Sequence, residues 1–189
     1  MTTSSEIIEV PVAHLLEEAD RKARSMGDMN SHTMRGLKGR QAGFLGELVA
    51  MEHLSRCEVD YEEVFSLRHD LSFKIGETAN LLEVKTKERT VPPKPDYDCS
   101  VPDYVKDFQD VDYYIFISLL SLDSKSEDIN RFKSAYLLGS ISKEGFGANS
   151  ALWTTDSMDH TNGWKPTTDV WNVPISCLKA PRQIERVSA

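Results

Sequence analysis

The hydrophobic and polar positions of the chain follow two different periods. Apolar residues recur at helical spacing in residues 11–25 and 35–56, and Pro11 and Gly27 suit the beginning and end of the first helix. Strand patterns cover residues 59–67, 70–75, 81–88, 111–121 and 134–142, and residues 169–181 form a short strand with a terminal segment. This order predicts an α/β fold with a central mixed β-sheet flanked by helices.

Two segments between these elements have distinct predictions. Residues 76–80, GETAN, predict the turn of a hairpin that joins the strands at 70–75 and 81–88. Residues 89–104 contain four of the eight prolines and predict a long irregular loop.

The predicted helix 35–56 is apolar on most of its surface and leaves a narrow polar strip that includes Lys38 and Gln41. Glu47 lies within the apolar surface. Because an unpaired buried carboxylate is unfavourable, we expect a cation, a metal or a hydrogen-bond donor beside Glu47. Gly43 and Gly46 would let another backbone approach this helix closely.

The predicted hairpin brings two acids onto one face. Pairing Ile75 with Asn80 across the turn makes Asp70 and Glu83 diagonal neighbours. Lys85 shares that face, because side chains alternate along a strand. We therefore expect this charged face to point toward the phosphate backbone of a substrate.

Two neighbouring carboxylates repel each other unless a cation lies between them. Oxygen ligands favour Mg²⁺ or Mn²⁺, and no Cys or His pair in the chain has zinc-ligand spacing. The expected ligands are Asp70, Glu83 and the backbone carbonyl of Val84. Lys85 would hold the attacking water or stabilise charge in the transition state. Glu47 would be a further ligand or would orient a coordinated water.

These residues resemble the motifs of the PD-(D/E)XK nuclease superfamily. Glu47 in GFLGELVAMEHL resembles the acid of its first core helix, Asp70 in HDLSF the acid of its second motif, and Glu83-Val84-Lys85 in LLEVKTKE its acid-x-Lys strand. One departure is His69, which stands where proline often precedes the second acid. The resemblance covers roughly residues 35–120, and the later strands look like the tails of small phage-type members.

The resemblance implies a restriction-endonuclease-like core and Mg²⁺-dependent hydrolysis of DNA phosphodiesters, with frequent dimerisation. It implies a single domain with an N-terminal helical extension at 1–30, a nuclease core at 35–120 and additional strands and a tail at 121–189. Residues 102–110 would be what remains of the second core helix. The implied catalytic lysine is Lys85, and the candidate phosphate contacts are Lys87, Arg40 and Lys38.

Composition limits the alternatives. The net charge of −8 argues against nonspecific coating of DNA, yet it permits a local basic cleft. A catalytically silent DNA-binding or assembly protein on the same fold is the main alternative. A partner protein docking on the Trp-containing tail and a lytic glycosidase with paired carboxylates are more distant ones, and the glycosidase predicts no need for a lysine or a metal.

Other patterns concern location and a second motif. No apolar run is long enough to span a bilayer, the N-terminus lacks a signal-peptide pattern, and three separated cysteines do not suggest a disulfide framework. We therefore predict a cytoplasmic protein without a membrane segment. Residues 159–162, Asp-His-Thr-Asn, hint at a His/Asn nuclease motif, but a polar turn before Gly163 is the favoured interpretation.

Overall fold

A computed structural model of the chain describes residues 6–26, 36–64, 66, 68–106, 108–159, 163 and 165–181. Its strands are β1 (Ile8–Pro11), β2 (Tyr61–Glu63), β3 (Leu71–Ile75), β4 (Thr78–Arg89), β5 (Asp98–Pro102), β6 (Tyr113–Ser121), β7 (Phe132–Ser142), β8 (Ala151–Trp153) and β9 (Val170–Pro174). Its helices are α1 (Leu16–Ser25), α2 (Gly36–Arg56), α3 (Asp103–Lys106) and α4 (Lys143–Asn149).

The fold is mixed α/β and contains two sheets. Six strands form the larger sheet in the order β1-β7-β6-β4-β3-β2, and the smaller sheet has the order β5-β9-β8. Strands β4 and β6 run parallel, whereas the other neighbouring pairs are antiparallel. The predicted mixed central sheet flanked by helices is therefore confirmed.

Strand β6 shows how the layers are arranged, because it is buried on both faces. Ile115 and Ile117 join the core cluster beneath α1 and α2, whereas Tyr114 and Phe116 join a second cluster beneath the smaller sheet and α4. The continuous apolar run in this strand is what a strand covered on both faces requires. The larger sheet is thus a middle layer, with helices on one face and the smaller sheet on the other.

Helix α2 agrees with the sequence prediction, and it lies very close to β4. A Cβ atom added at Gly46 would lie 1.9 Å from the Thr86 Oγ1 atom, so only glycine fits at this point of the helix. Gly43, one turn earlier, has no atom within 4 Å of the equivalent position. Of the two glycines, Gly46 is therefore the one that permits the close approach.

The N-terminal prediction was partly wrong. The helix predicted at 11–25 begins only at Leu16, and Pro11 ends the edge strand β1 instead of beginning a helix. Proline is tolerated there because an edge strand has one side without ladder hydrogen bonds. Gly27, the predicted stop of the helix, lies outside the described residues.

The proline-rich segment 89–104 was predicted to be irregular, yet it contains β5. Cys99 and Val101 alternate inward and pack into the second core cluster, while Pro102 is the last residue of this edge strand. Strand β9 (Val170–Pro174) confirms the short strand predicted at 169–181, whereas β8, the helix α4 and a separate smaller sheet were not predicted. The strand predicted at 59–67 is reduced to Tyr61–Glu63, and residues 65 and 67 lie outside the described part of the chain.

The length and hydropathy of the helices decide whether any of them could span a membrane. Among the described residues, no helix is both long enough and apolar enough to cross a bilayer.

Candidate active site

The candidate site begins with the register of the β3–β4 hairpin. Ile75 pairs with Thr78, so the turn contains only Gly76 and Glu77, and the predicted pairing of Ile75 with Asn80 is wrong. Gly76 has a φ of +61°, which suits the first position of a tight two-residue hairpin turn. The register is displaced by two residues from the prediction, so the same side chains share a face.

This register brings Asp70 alongside Glu83 instead of diagonal to it. The Asp70 backbone N–H donates to the Leu82 carbonyl at 3.1 Å, and the Asp70 Oδ2 atom accepts from the Val84 N–H at 2.8 Å. Asp70 therefore contacts both residues that flank Glu83. The two acids are closer than the sequence predicted.

Glu83 is buried and has two side-chain partners. Its Oε1 atom lies 2.7 Å from the Lys85 Nζ atom and also accepts from the Gln109 Nε2 atom. The Lys85 side chain is 16% exposed and the Glu83 side chain 9%. Lys85 is thus held next to the acids, as predicted, and it is ion-paired with one of them.

Gln109 is a site residue that the sequence did not indicate. It is 5% exposed, and its backbone carbonyl accepts from the Lys143 Nζ atom at 2.9 Å. Its Oε1 atom is buried without a hydrogen-bond partner in the described structure. A single glutamine in a polar segment between α3 and β6 has no periodic signal, so only the tertiary fold reveals it.

Burial and neighbouring negative charges raise the pKa values of two carboxyls, those of Asp70 and Glu47. Burial raises the pKa of Asp70 well above its usual value, and the charges of Glu83 and Glu47 raise it further, against the opposing hydrogen bond from the Val84 N–H. Burial raises the pKa of Glu47 to about 7, with Lys22 opposing the shift and Glu63 and Glu83 adding to it. The three carboxyls therefore interact electrostatically.

The cation expected beside Glu47 is supplied by α1. The Lys22 ammonium pairs with the Glu63 carboxylate and lies 5.8 Å from the centre of the Phe44 ring. The neighbouring Arg21 and Arg24 instead form helix-surface ion pairs with acids of α1. Lys22 is the member of this basic cluster that contributes to the environment of the site.

The three predicted phosphate contacts have internal partners. The Lys38 Nζ atom donates to the Ser124 carbonyl, and the Arg40 Nε atom donates to the Ala23 carbonyl at 3.0 Å. The Lys87 Nζ atom lies 3.3 Å from the Ser100 Oγ atom of β5. Their role toward DNA stays a prediction, and of the three only Lys87 shares the strand of the acids.

The charged face of β4 is partly covered by neighbouring elements. It points toward β5, where Ser100 bridges Lys87 and the buried Asn172, and Gln109 covers Glu83. That this face turns toward a phosphate backbone stays a prediction. Arg68, two residues before Asp70, is exposed.

The donors around Asp70 and Glu83 fit a hard divalent cation. Two carboxyls held beside the same stretch of β4, one with a pKa raised well above its usual value, form an oxygen-rich site that a cation would stabilise. Within a strand, the N–H and C=O groups of one residue point to the same side, so the Val84 carbonyl also faces the side of Asp70. Among the described residues, no three His, Cys, Asp or Glu side chains form a metal-binding group. The role of Glu47 as a further ligand stays a prediction.

Two other predicted features lie at the margin of the site. The Nδ1 atom of His69, the residue that stands where proline often precedes the second acid, is buried without a partner in the described structure. Residues 160–162 of the possible His/Asn motif lie outside the described part of the chain. The Gly163 N–H donates to the Asp159 carbonyl at 2.7 Å.

Comparison with models of known protein families gives no match to the chain, and comparison with curated protein sequences finds no similar protein. The functional argument therefore depends on the residues and their geometry.

Proposed function

We propose that this chain is a metal-dependent deoxyribonuclease that hydrolyses phosphodiester bonds at Asp70, Glu83 and Lys85. The observation that carries the proposal is the half-buried carboxyl of Asp70 bound to the Val84 N–H, next to the buried and electrostatically interacting Glu83, to which Lys85 is ion-paired. A structural strand face gains nothing from burying two like charges side by side. A hydrolytic site gains a cation-binding pocket from the same arrangement.

The roles follow from what each side chain touches. Asp70 and Glu83, with the Val84 carbonyl, would hold Mg²⁺ or Mn²⁺. When bound there, the ion supplies positive charge that polarises a phosphoryl oxygen and lowers the pKa of a coordinated water. Lys85, 2.7 Å from the Glu83 carboxylate, is positioned to stabilise negative charge on the phosphate.

The resemblance to the PD-(D/E)XK superfamily supports the same proposal. The acid of α2, the acid at the end of β3 and the acid-x-Lys pair of β4 occur in the superfamily's order on a mixed sheet with helices. On this proposal the chain has a restriction-endonuclease-like core and belongs to the small phage-type members that act in recombination, repair or DNA degradation. A homodimer and a cytoplasmic location belong to the same proposal.

The test is cleavage of plasmid, linear and four-way DNA with Mg²⁺ or Mn²⁺, compared among conservative variants. We expect Glu83→Gln, Asp70→Asn and Lys85→Met each to lower the cleavage rate by about 100-fold or more. Matched controls are Glu77→Gln and Lys74→Met, which are exposed on the same hairpin and should cleave normally. Equal rates in the site variants and the wild type would contradict the assignment.

One observation favours a second candidate, a catalytically silent DNA-binding or assembly protein. The ion pair between Lys85 and Glu83 neutralises one of the two acids without any metal. Calorimetry distinguishes the two candidates. A nuclease site should bind Mn²⁺, and Glu83→Gln should abolish that binding. DNA binding without Mn²⁺ binding and without cleavage would identify the silent protein.

A further inference from the structure

Two exposed aromatic side chains lie next to the proposed hydrolytic site. Phe108 and Tyr104 are each 51% exposed, although large aromatic side chains are usually covered. Tyr104 lies in α3 and Phe108 follows it four residues later, and the Gln109 N–H donates to the Val105 carbonyl at 2.9 Å. We call Phe108 and Tyr104 the aromatic patch.

Chain geometry fixes how near the patch is to the acids. Phe108 directly precedes Gln109, whose side-chain amide donates to the Glu83 carboxylate. Adjacent Cα atoms are about 3.8 Å apart. Phe108 is thus the immediate chain neighbour of Gln109, whose side chain contacts Glu83. Phe108 is therefore close to Glu83 through its chain neighbour Gln109.

A cation lies against the same ring. The Arg68 guanidinium carbon is 5.8 Å from the centre of the Phe108 ring, and Arg68 is exposed two residues before Asp70. An exposed guanidinium can bind a phosphate by paired hydrogen bonds while the ring beside it remains available. Ring and cation together match one nucleotide, with its flat base and its phosphate.

We propose that Phe108 stacks on an unpaired nucleobase next to the reacting phosphate and that Arg68 binds the adjoining phosphate, so the substrate is DNA with a single-stranded segment. This inference rests on the proposed function. In a duplex, neighbouring bases cover each base face, whereas an unpaired base offers its face to an aromatic ring. A flap, a splayed arm or a single strand fits this site, and a continuous duplex does not.

The experiment measures binding and stacking separately from cleavage. A single-stranded oligonucleotide and a blunt duplex, each carrying the fluorescent base 2-aminopurine, are titrated with the protein in Ca²⁺. The variants are Phe108→Leu, which keeps apolar bulk but removes the ring, and Phe108→Trp, which keeps a ring. The control is Leu122→Ala, because Leu122 is 72% exposed in the β6–β7 loop.

We expect Phe108→Leu to weaken single-strand binding by roughly 5- to 100-fold, the loss of one stacked base. Phe108→Leu should also reduce the quenching of 2-aminopurine fluorescence that stacking on the ring produces. Phe108→Trp should restore the affinity and the quenching, and Leu122→Ala should change neither the affinity nor the quenching. Arg68→Met should weaken single-strand binding and reduce its dependence on salt. Because Phe108 is half-exposed, these variants should fold with nearly unchanged stability.

Three outcomes overturn the inference. They are unchanged single-strand binding by Phe108→Leu, an equal loss on duplex and single strand, and no DNA binding by the wild type. Ring-dependent binding by a chain that cleaves no DNA would refute only the proposed hydrolysis. Cleavage that requires Glu83 but is indifferent to Phe108 would refute only the stacking.

Discussion

The contact between α2 and β4 allows a quantitative prediction for Gly46→Ala. The added methyl group would lie 1.9 Å from the Thr86 Oγ1 atom and 3.0 Å from its Cβ atom, so the helix or the strand must move. Overpacking of this kind costs roughly 1–3 kcal/mol of unfolding free energy. Alanine favours a helix by about 1 kcal/mol over glycine, which offsets only part of that loss.

Gly43→Ala is the matched control on the same helix. Its new methyl group would meet no atom within 4 Å, so this variant should gain roughly 0.5–1 kcal/mol from helix propensity alone. Urea unfolding followed by circular dichroism gives both free energies. The helix-propensity gain is common to both variants, so we expect them to differ by the overpacking cost of about 1–3 kcal/mol, with Gly46→Ala the less stable.

A double-mutant cycle with Thr86→Ala identifies the contact. Thr86→Ala removes the Oγ1 atom, which is buried without a partner, and leaves the Cβ atom 3.0 Å from the new methyl group. Adding it to Gly46→Ala should therefore recover part of the loss, with a coupling of about 0.5–3 kcal/mol. Equal stability of Gly46→Ala and Gly43→Ala, or a coupling of zero, would refute the packing of α2 on Thr86.

The same contact links stability to function. Gly46 precedes Glu47, so displacing the helix at Gly46 also displaces the acid whose charge acts on Asp70. We expect Gly46→Ala to lower DNA cleavage at temperatures where it is still folded, whereas Gly43→Ala keeps the wild-type rate. The ratio of the two rates, measured well below both melting temperatures, checks this.

Two further predictions concern buried charges. The folded-state pKa of Glu47 is raised from 4.5 to about 7, so the stability that its proton provides is present below pH 4.5 and is lost as the pH rises through about 7. Urea unfolding at pH 5 and pH 8 should therefore show Glu47→Gln gaining about 1 kcal/mol or more over the wild type at the higher pH. Arg131, 4% exposed, lies 3.5 Å from Glu88 and donates to the Gln41 Oε1 atom at 2.7 Å. Arg131→Met should thus cost about 3–5 kcal/mol by the same assay, with partial recovery in Arg131→Met/Glu88→Gln.

Each of the two predictions, for Glu47→Gln and for Arg131→Met, has a result that would contradict it. An advantage of Glu47→Gln that is equal at both pH values would show that its carboxyl titrates normally. A loss below about 1 kcal/mol for Arg131→Met would show that this guanidinium does not hold α2 to β4.

The parts of the fold with strong local signals were predictable from the sequence. Helix α2, the β3–β4 hairpin and the buried strand β6 follow from periodicity, and alternation alone placed Glu83 and Lys85 on one face. The hairpin register was not predictable in the same way, because it depends on the positive φ that Gly76 adopts in a shorter turn. The observed register differs from the predicted one by two residues. The side chains therefore lie on the predicted faces of the strands, but the residues paired across the hairpin are different.

The partners of the site could not be found from the sequence. Strand β5 has only two inward apolar residues, Cys99 and Val101, among prolines, and its pairing with β9 is set by residues about 70 positions later. Gln109 reaches Glu83 from a short segment without a period of its own, and Lys22 lies on a helix whose periodicity does not reveal that it packs near Glu47. Long-range contacts of this kind decide what surrounds the acids, whereas local patterns decide only which acids share a face.

The end of β3 explains why the acids meet where they do. The ladder between β3 and β4 stops at Leu71 and Leu82, whereas the ladder between β4 and β6 continues to Arg89. On the β3 side, the N–H of Val84 therefore has no strand partner, and the carboxylate of Asp70 accepts it instead. An acid thus occupies the place that strand backbone would otherwise fill, and the sheet itself brings a second carboxylate, that of Glu83, beside it. Burial first, and then the charges of Glu83 and Glu47, raise the pKa of Asp70, so its charged form is unfavourable in this position. A bound cation would offset that cost, which is the physical reason for proposing a metal-dependent role here.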